Sequence, residues 1–110
     1  MKLTVRRARD FDRDFANQFA WYWDNAGETI SRQFEQAVEI TLKNISEQAA
    51  LGRGRKFRHH RLHGLRSFRV SHPFEDILIF YRIEETFLHA LRLIHGSRDL
   101  PHRLPEPPRA

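Results

Sequence analysis

The sequence of 110 residues contains no cysteine. Disulfide bridges and thiolate metal sites are therefore excluded. The sequence also lacks an apolar run that approaches the roughly 20 residues of a transmembrane helix. Its first nine residues are charged and alternating, which is not the pattern of a signal peptide. These absences indicate a soluble globular chain, and we expect it in the cytoplasm.

Acidic residues are missing from the middle of the chain. Residues 48–74 contain seven Lys or Arg and no Asp or Glu, whereas the segments before and after them are nearly balanced. The whole formal net charge of +5 therefore comes from this central segment. A segment of this kind suits an anionic partner, such as nucleic acid or an acidic peptide. A solvated basic loop would have the same composition.

The histidines and serines do not form a convincing metal or nucleophile motif. His59, His60 and His63 have spacings that could bind zinc, but arginines surround them and the segment offers no carboxylate. Ser97 follows His95 closely, but no glycine-flanked elbow surrounds it. We therefore expect no metal, no cofactor and no nucleophilic triad.

The segment from Ile77 to Leu100 forms the centre of the predicted fold. Residues 77–83 and 87–94 are rich in β-branched and aromatic side chains, and the polar residues 84–86 separate them. This pattern is typical of a β-hairpin. The polar segment that follows the second arm contains a glycine and ends the strand.

Two amphipathic helices precede this hairpin. Phe11, Phe15 and Phe19 recur at helical spacing, Gly27 ends the first helix, and a second apolar stripe runs from about Glu28 to Ala50. An aromatic stripe could stack on nucleic-acid bases. The spacing favours a role in the core, because the sheet needs a cover.

The predicted fold is α+β, with the element order β-α-α-β-β-β. An N-terminal strand precedes an antiparallel helix hairpin, which packs on an antiparallel sheet of three or four strands. Residues 57–62 form a weak candidate strand and residues 64–70 a better one. We assign residues 1–100 to a single domain. Residues 101–110 form a proline-rich tail that we expect to be flexible.

One chemistry that these residues could support is metal-independent RNA cleavage. It needs a proton acceptor, cations that hold the scissile phosphate and a proton donor for the leaving oxygen. His95 could move a proton, and the cations are Arg58, Arg61, Arg66 and Arg92. The sequence offers no tyrosine near them, since Tyr22 and Tyr81 fall in a helix and a core strand.

The element order and three short motifs resemble the ParE branch of the RelE/ParE toxin superfamily. The motifs are Gly64-Leu65-Arg66, the strand 79–83 and above all residues 93–100, Leu-Ile-His-Gly-Ser-Arg-Asp-Leu. This superfamily contains the toxins of type II toxin–antitoxin modules, which are often called plasmid stabilisation proteins. The resemblance extends over about residues 3–100.

The resemblance implies a toxin that acts by binding DNA gyrase and that a ParD-like antitoxin neutralises. The alternative, a RelE-type ribosome-dependent mRNA endonuclease, would use Arg61, Arg92 and His95. We predict that contacts to the target or antitoxin come from the following residues: Arg58, Arg61, Arg66, Arg69, Arg92, His95, Arg98 and Asp99. Arg98 and Asp99 could instead form an ion pair that fixes the tail. Arg92 is expected on the exposed face of the sheet, beside Arg66 or Arg69.

Overall fold

The computed structural model describes residues 2–48, 53–54 and 64–96. Within these residues, two helices and five strands follow one another in the predicted order, with one additional short strand. Their bounds are β1 (Thr4–Arg7), α1 (Arg9–Ala26), α2 (Glu28–Glu47), β2 (Arg53–Gly54), β3 (Arg66–Arg69), β4 (Ile77–Glu84) and β5 (Phe87–His95). The weak candidate strand at residues 57–62 and the tail 101–110 lie outside the described residues.

The strands form one sheet in the order β1-β5-β4-β3-β2. β2, β3, β4 and β5 pair antiparallel, but β1 joins the edge of the sheet parallel to β5, with Thr4 opposite Phe87. The prediction of a fully antiparallel sheet of three or four strands is therefore wrong in this respect. The alternation of apolar and polar residues around Leu3 and Val5 predicts a strand with one buried face. This pattern is the same in parallel and antiparallel strands, so it does not predict the direction of β1.

The helix hairpin turns at Gly27. This residue has φ 90°, and its N–H donates to the Tyr22 carbonyl oxygen at 3.0 Å. A residue with a side chain rarely adopts this conformation, so glycine fits the position. α2 begins at the next residue, and the two helices cover one face of the sheet. Neither described helix is long and apolar enough to cross a membrane.

The aromatic stripe of α1 is part of the core, as predicted. Phe11 is completely buried, and the rings of Phe15 and Tyr22 lie 5.3 Å and 5.1 Å from that of Phe34 on α2. Side chains from the sheet complete this cluster, chiefly Ile77, Ile79, Tyr81 and Leu88. The stripe is therefore not exposed for base stacking.

A bulge interrupts the pairing of the two central strands. Phe80 lies opposite Arg92, whereas the next residue, Tyr81, lies opposite Ala90, so Leu91 is an extra residue on β5. A bulge bends a strand and redirects the side chains that follow it. This one lies where the ladder between β1 and β5 ends, since Arg7 is the last residue of β1 and pairs with Ala90.

Candidate functional site

Four of the eight predicted contact residues lie in the described part of the chain: Arg66, Arg69, Arg92 and His95. The other four, Arg58, Arg61, Arg98 and Asp99, lie outside it, as do His59, His60 and His63. Among the described residues, no group of three His, Asp or Glu could hold a metal ion. The described part of the predicted site therefore consists mainly of arginines that lie on strands of the sheet.

Arg92 binds a carboxylate on α1. Its Nε donates to Oδ2 of Asp14 at 2.7 Å, and its Nη2 donates to Oδ1 at 3.2 Å. The exposed fractions of the two side chains are 11% and 9%. A two-nitrogen contact between guanidinium and carboxylate is both directional and strong for a hydrogen-bonded pair. The charge of Arg92 is thus largely neutralised within the fold.

The same carboxylate also accepts a main-chain hydrogen bond from the edge of β5. Oδ2 of Asp14 accepts the backbone N–H of Leu93 at 3.0 Å, beyond the point where the ladder with β1 ends. An edge N–H left without an acceptor is a site for unwanted strand pairing. Asp14 therefore connects α1 to β5 through the side chain of Arg92 and the main-chain N–H of Leu93.

The expectation that Arg92 lies on the exposed face beside Arg66 or Arg69 is wrong. Arg92 lies directly after the bulge, opposite Phe80, and only 11% of its side chain is exposed, because its guanidinium group reaches Asp14 on α1. Sequence reasoning also missed Asp14. It lies 78 residues from Arg92, and no local pattern connects an acidic residue of α1 with a strand arginine.

The two arginines of β3 lie on opposite faces of the sheet. Arg66 shares a face with Phe68, which packs against the core under the helices. Arg69 points to the other face, is exposed and donates to the Glu75 carbonyl oxygen at 2.9 Å. Because side chains alternate along a strand, these two residues cannot form one cation cluster.

His95 is the last residue of β5 and is exposed. Gly96 follows it, and a Cβ at Gly96 would lie 3.0 Å from the carbonyl oxygen of Asp76. A side chain at this position would therefore be tight, and one of the two residues would have to move by a few tenths of an ångström to admit it. This contact explains physically why glycine follows the histidine in the motif at residues 93–100.

A hydrogen bond in the turn between β3 and β4 affects an exposed carboxylate. His72 Nδ1 lies 3.0 Å from Oε2 of Glu75. This side-chain hydrogen bond is the main reason why the pKa of Glu75 is lowered, with a smaller contribution from a backbone hydrogen bond.

On α1, burial raises the pKa of Tyr22, and a hydrogen bond with Gln18 partly opposes this effect.

The described charges are divided between the two layers. The helices contain four Lys or Arg and eight Asp or Glu, whereas strands β1, β3, β4 and β5 contain six arginines and one glutamate. Trp21 and Trp23, which are 55% and 44% exposed, lie on the acidic helix layer. The formal charge is therefore positive on these strands and negative on the helices, although Arg7 and Arg92 are paired with the helix carboxylates of Glu39 and Asp14.

Comparison with known proteins identifies relatives of this chain. A family model described as the ParE toxin of the type II toxin–antitoxin system parDE matches residues 5–100. The fold is similar to a structure of the chromosomal ParDE system from P. aeruginosa, with a TM-score of 0.70 and 16% identity. That match covers 87% of this chain and 98% of the other. No curated protein sequence matches the chain.

Proposed function

Because the chain belongs to the ParE toxin family of type II toxin–antitoxin systems, we propose that it inhibits DNA gyrase by binding. An antitoxin, resembling ParD, neutralises it in the cytoplasm. The family match supports the antitoxin partner, and the structure of a ParDE system with the same fold is consistent with it. Gyrase as the target follows from the family resemblance.

One observation in the site favours a toxin that acts by binding over one that acts by catalysis. A ribonuclease would need Arg92 to hold the scissile phosphate, but both nitrogens described above donate to Asp14. A phosphate would have to displace a carboxylate that is about nine-tenths buried. The arginines of β3 offer no substitute cluster, because they lie on opposite faces of the sheet.

The test uses purified protein, free of antitoxin, in two parallel reactions. In the first, DNA gyrase is assayed for supercoiling and for accumulation of cleaved DNA. In the second, ribosomes programmed with an mRNA are assayed for codon-phased cleavage. We expect cleaved DNA to accumulate while the mRNA stays intact. Cleaved mRNA with unaffected gyrase would refute the proposal and support the RelE-type alternative.

A further inference from the structure

One row of side chains on the face of the sheet away from both described helices is basic. Arg6 on β1 lies opposite His89 on β5, and His89 lies opposite Arg82 on β4. Residues opposite each other on neighbouring strands share a face of the sheet, and adjacent strands are about 4.8 Å apart. The described helices pack on the other face, against Val5 and Leu88. The histidine is therefore flanked by an arginine on each neighbouring strand.

Arg6 is positioned by an aromatic ring. Its guanidinium carbon lies 3.8 Å from the centre of the Phe87 ring, and the rings of Phe87 and His89 are 6.2 Å apart. A guanidinium group that stacks on a ring keeps the N–H groups at its rim as donors. Arg6 is exposed, and among the described residues no carboxylate forms a salt bridge with it. Its donors can therefore bind an anion from outside the protein.

The charges around His89 are mainly positive. Arg82 extends toward Gly64, since its Nε lies 3.8 Å from the place that a Cβ on Gly64 would take. It therefore adds charge at the side of the row. One acid lies nearby, because Oε2 of the exposed Glu84 is 3.9 Å from Nε2 of His89, beyond hydrogen-bonding distance. Arg6 and Arg82 outnumber this acid, so the row attracts anions even when the histidine is neutral.

We propose that Arg6 and His89 bind a phosphate group on this face of the sheet, with Arg82 adding positive charge beside it. Arg6 offers two N–H groups to two phosphate oxygens, and His89 offers a ring N–H. Phosphate fits better than a carboxylate, because it has a third oxygen for the histidine. The site is separate from the eight predicted contact residues, and phosphate binding there does not depend on gyrase as the target.

Nuclear magnetic resonance of the full-length protein tests this site. Inorganic phosphate is titrated at constant pH and ionic strength, and the side-chain signals of Arg6 and His89 are followed. Both signals should shift and saturate together, whereas that of His72, an exposed histidine between β3 and β4, should not. Acetate should bind at least about tenfold more weakly. No saturable shift at Arg6 and His89, or an equal shift at His72, would overturn the proposal.

Arg6→Gln should weaken phosphate binding at least about tenfold, because it removes the charged donors. Arg13→Gln is the matched control, since it makes the same change of charge at an exposed residue of α1. It should change the affinity less than about twofold. Arg6→Lys keeps the charge but lacks the two parallel N–H groups, and should weaken binding about fivefold. Equal effects of Arg6→Gln and Arg13→Gln would show that net charge alone drives binding, and this would overturn the proposal.

Glu84→Gln should act in the opposite direction. It removes the negative charge beside His89 and should tighten phosphate binding about threefold. Glu47→Gln, at an exposed residue at the end of α2, is the matched control and should change the affinity less than about 1.5-fold. If Glu84→Gln did not tighten binding, or if both variants tightened it equally, the proposal would be overturned.

Two further ligands distinguish the sources of the phosphate. Phenyl phosphate represents a free phosphate ester, and a short thymidine oligonucleotide represents a nucleic-acid backbone. Each should displace inorganic phosphate from Arg6 and His89. Oligonucleotide binding that is at least about tenfold tighter would assign the site to a nucleic-acid backbone, and the reverse order would assign it to a free ester. Failure of both ligands to displace inorganic phosphate would overturn the proposal.

Discussion

Asp14 and Arg92 join the first helix to the last described strand. The carboxylate of Asp14 accepts hydrogen bonds from two guanidinium nitrogens and from the N–H of Leu93, and both side chains are about nine-tenths buried. α1 is thus held against the edge of β5 just beyond the end of the β1 ladder. The family motif begins at this point of the chain, at Leu93.

Removal of the carboxylate should destabilise the protein markedly. Asp14→Ala leaves a largely buried guanidinium and a strand N–H without their acceptor. Breaking one side of a buried ion pair typically costs about 3–5 kcal/mol, and we expect a loss of about 3 kcal/mol because the pair lies at the edge of the sheet. Denaturant unfolding followed by circular dichroism measures this loss.

Asp12→Ala is the control for this measurement. Asp12 lies on the same helix but is exposed, so its removal should change the free energy of unfolding by less than about 0.5 kcal/mol. Similar losses for the two variants would contradict the role assigned to Asp14.

Gly96→Ala should also destabilise the protein. The new Cβ would lie 3.0 Å from the Asp76 carbonyl oxygen, so residue 96 or Asp76 must move by a few tenths of an ångström. Overpacking of this kind costs about 1–3 kcal/mol. His95→Ala, at the exposed neighbouring residue, should cost less than about 0.5 kcal/mol. Thermal unfolding of the two variants makes the comparison, and an unchanged midpoint for Gly96→Ala would contradict the close approach.

The aromatic residues of the helices should divide into two classes. Phe34 is completely buried and contacts Phe15, Tyr22 and Phe74, so Phe34→Ala should cost about 3–5 kcal/mol. Trp21 is 55% exposed, and Trp21→Ala should cost less than about 1 kcal/mol. Chemical denaturation gives both values. A large loss for Trp21→Ala alone would reverse the assignment of core and surface.

The pH dependence of the β3–β4 turn follows from His72 and Glu75. The hydrogen bond with His72 lowers the pKa of Glu75, so His72→Ala should raise that pKa toward its ordinary value. A lowered carboxyl pKa contributes stability above the ordinary pKa of the unfolded chain. This contribution is lost as the pH falls through the lowered pKa. The variant should therefore lose less stability on acidification than the wild type.

An NMR titration of the Glu75 carboxyl carbon measures this pKa in each protein. Arg69→Ala serves as the comparison, because the charge of Arg69 makes the smallest contribution to lowering the pKa of Glu75. It should raise the pKa less than His72→Ala does. The opposite order would show that charge, and not the hydrogen bond, controls the carboxylate.

Periodicity was enough to predict the helix hairpin, the position of Gly27 and the two central strands, because each depends on residues close together in the sequence. The glycine of the family motif, by contrast, depends on a residue distant in the sequence, since Gly96 lies against the carbonyl oxygen of Asp76. The parallel direction of β1 and the extra strand β2 were not predictable in this way. Both depend on pairing between distant segments, which alternation within a strand does not encode.

The predicted site illustrates the same limit. A single extra residue, Leu91, changes the side-chain alternation of β5, and the partner of Arg92 comes from a helix near the start of the chain. Arg92 was expected beside Arg66 or Arg69, and these two arginines themselves lie on opposite faces of the sheet. The target or antitoxin contacts assigned to all eight residues remain predictions, and Arg58, Arg61, Arg98 and Asp99 also lie outside the described residues.

The most direct test of the account uses the double variant Asp14→Asn, Arg92→Gln. Removing both charges avoids a buried unpaired ion, so the protein should still unfold cooperatively, although with reduced stability. The variant and the wild type are then compared in the gyrase and ribosome reactions. If Arg92 serves the fold and the toxin acts by binding, the variant should inhibit gyrase within about threefold of the wild type. A folded variant that loses an mRNA cleavage activity present in the wild type would contradict this account.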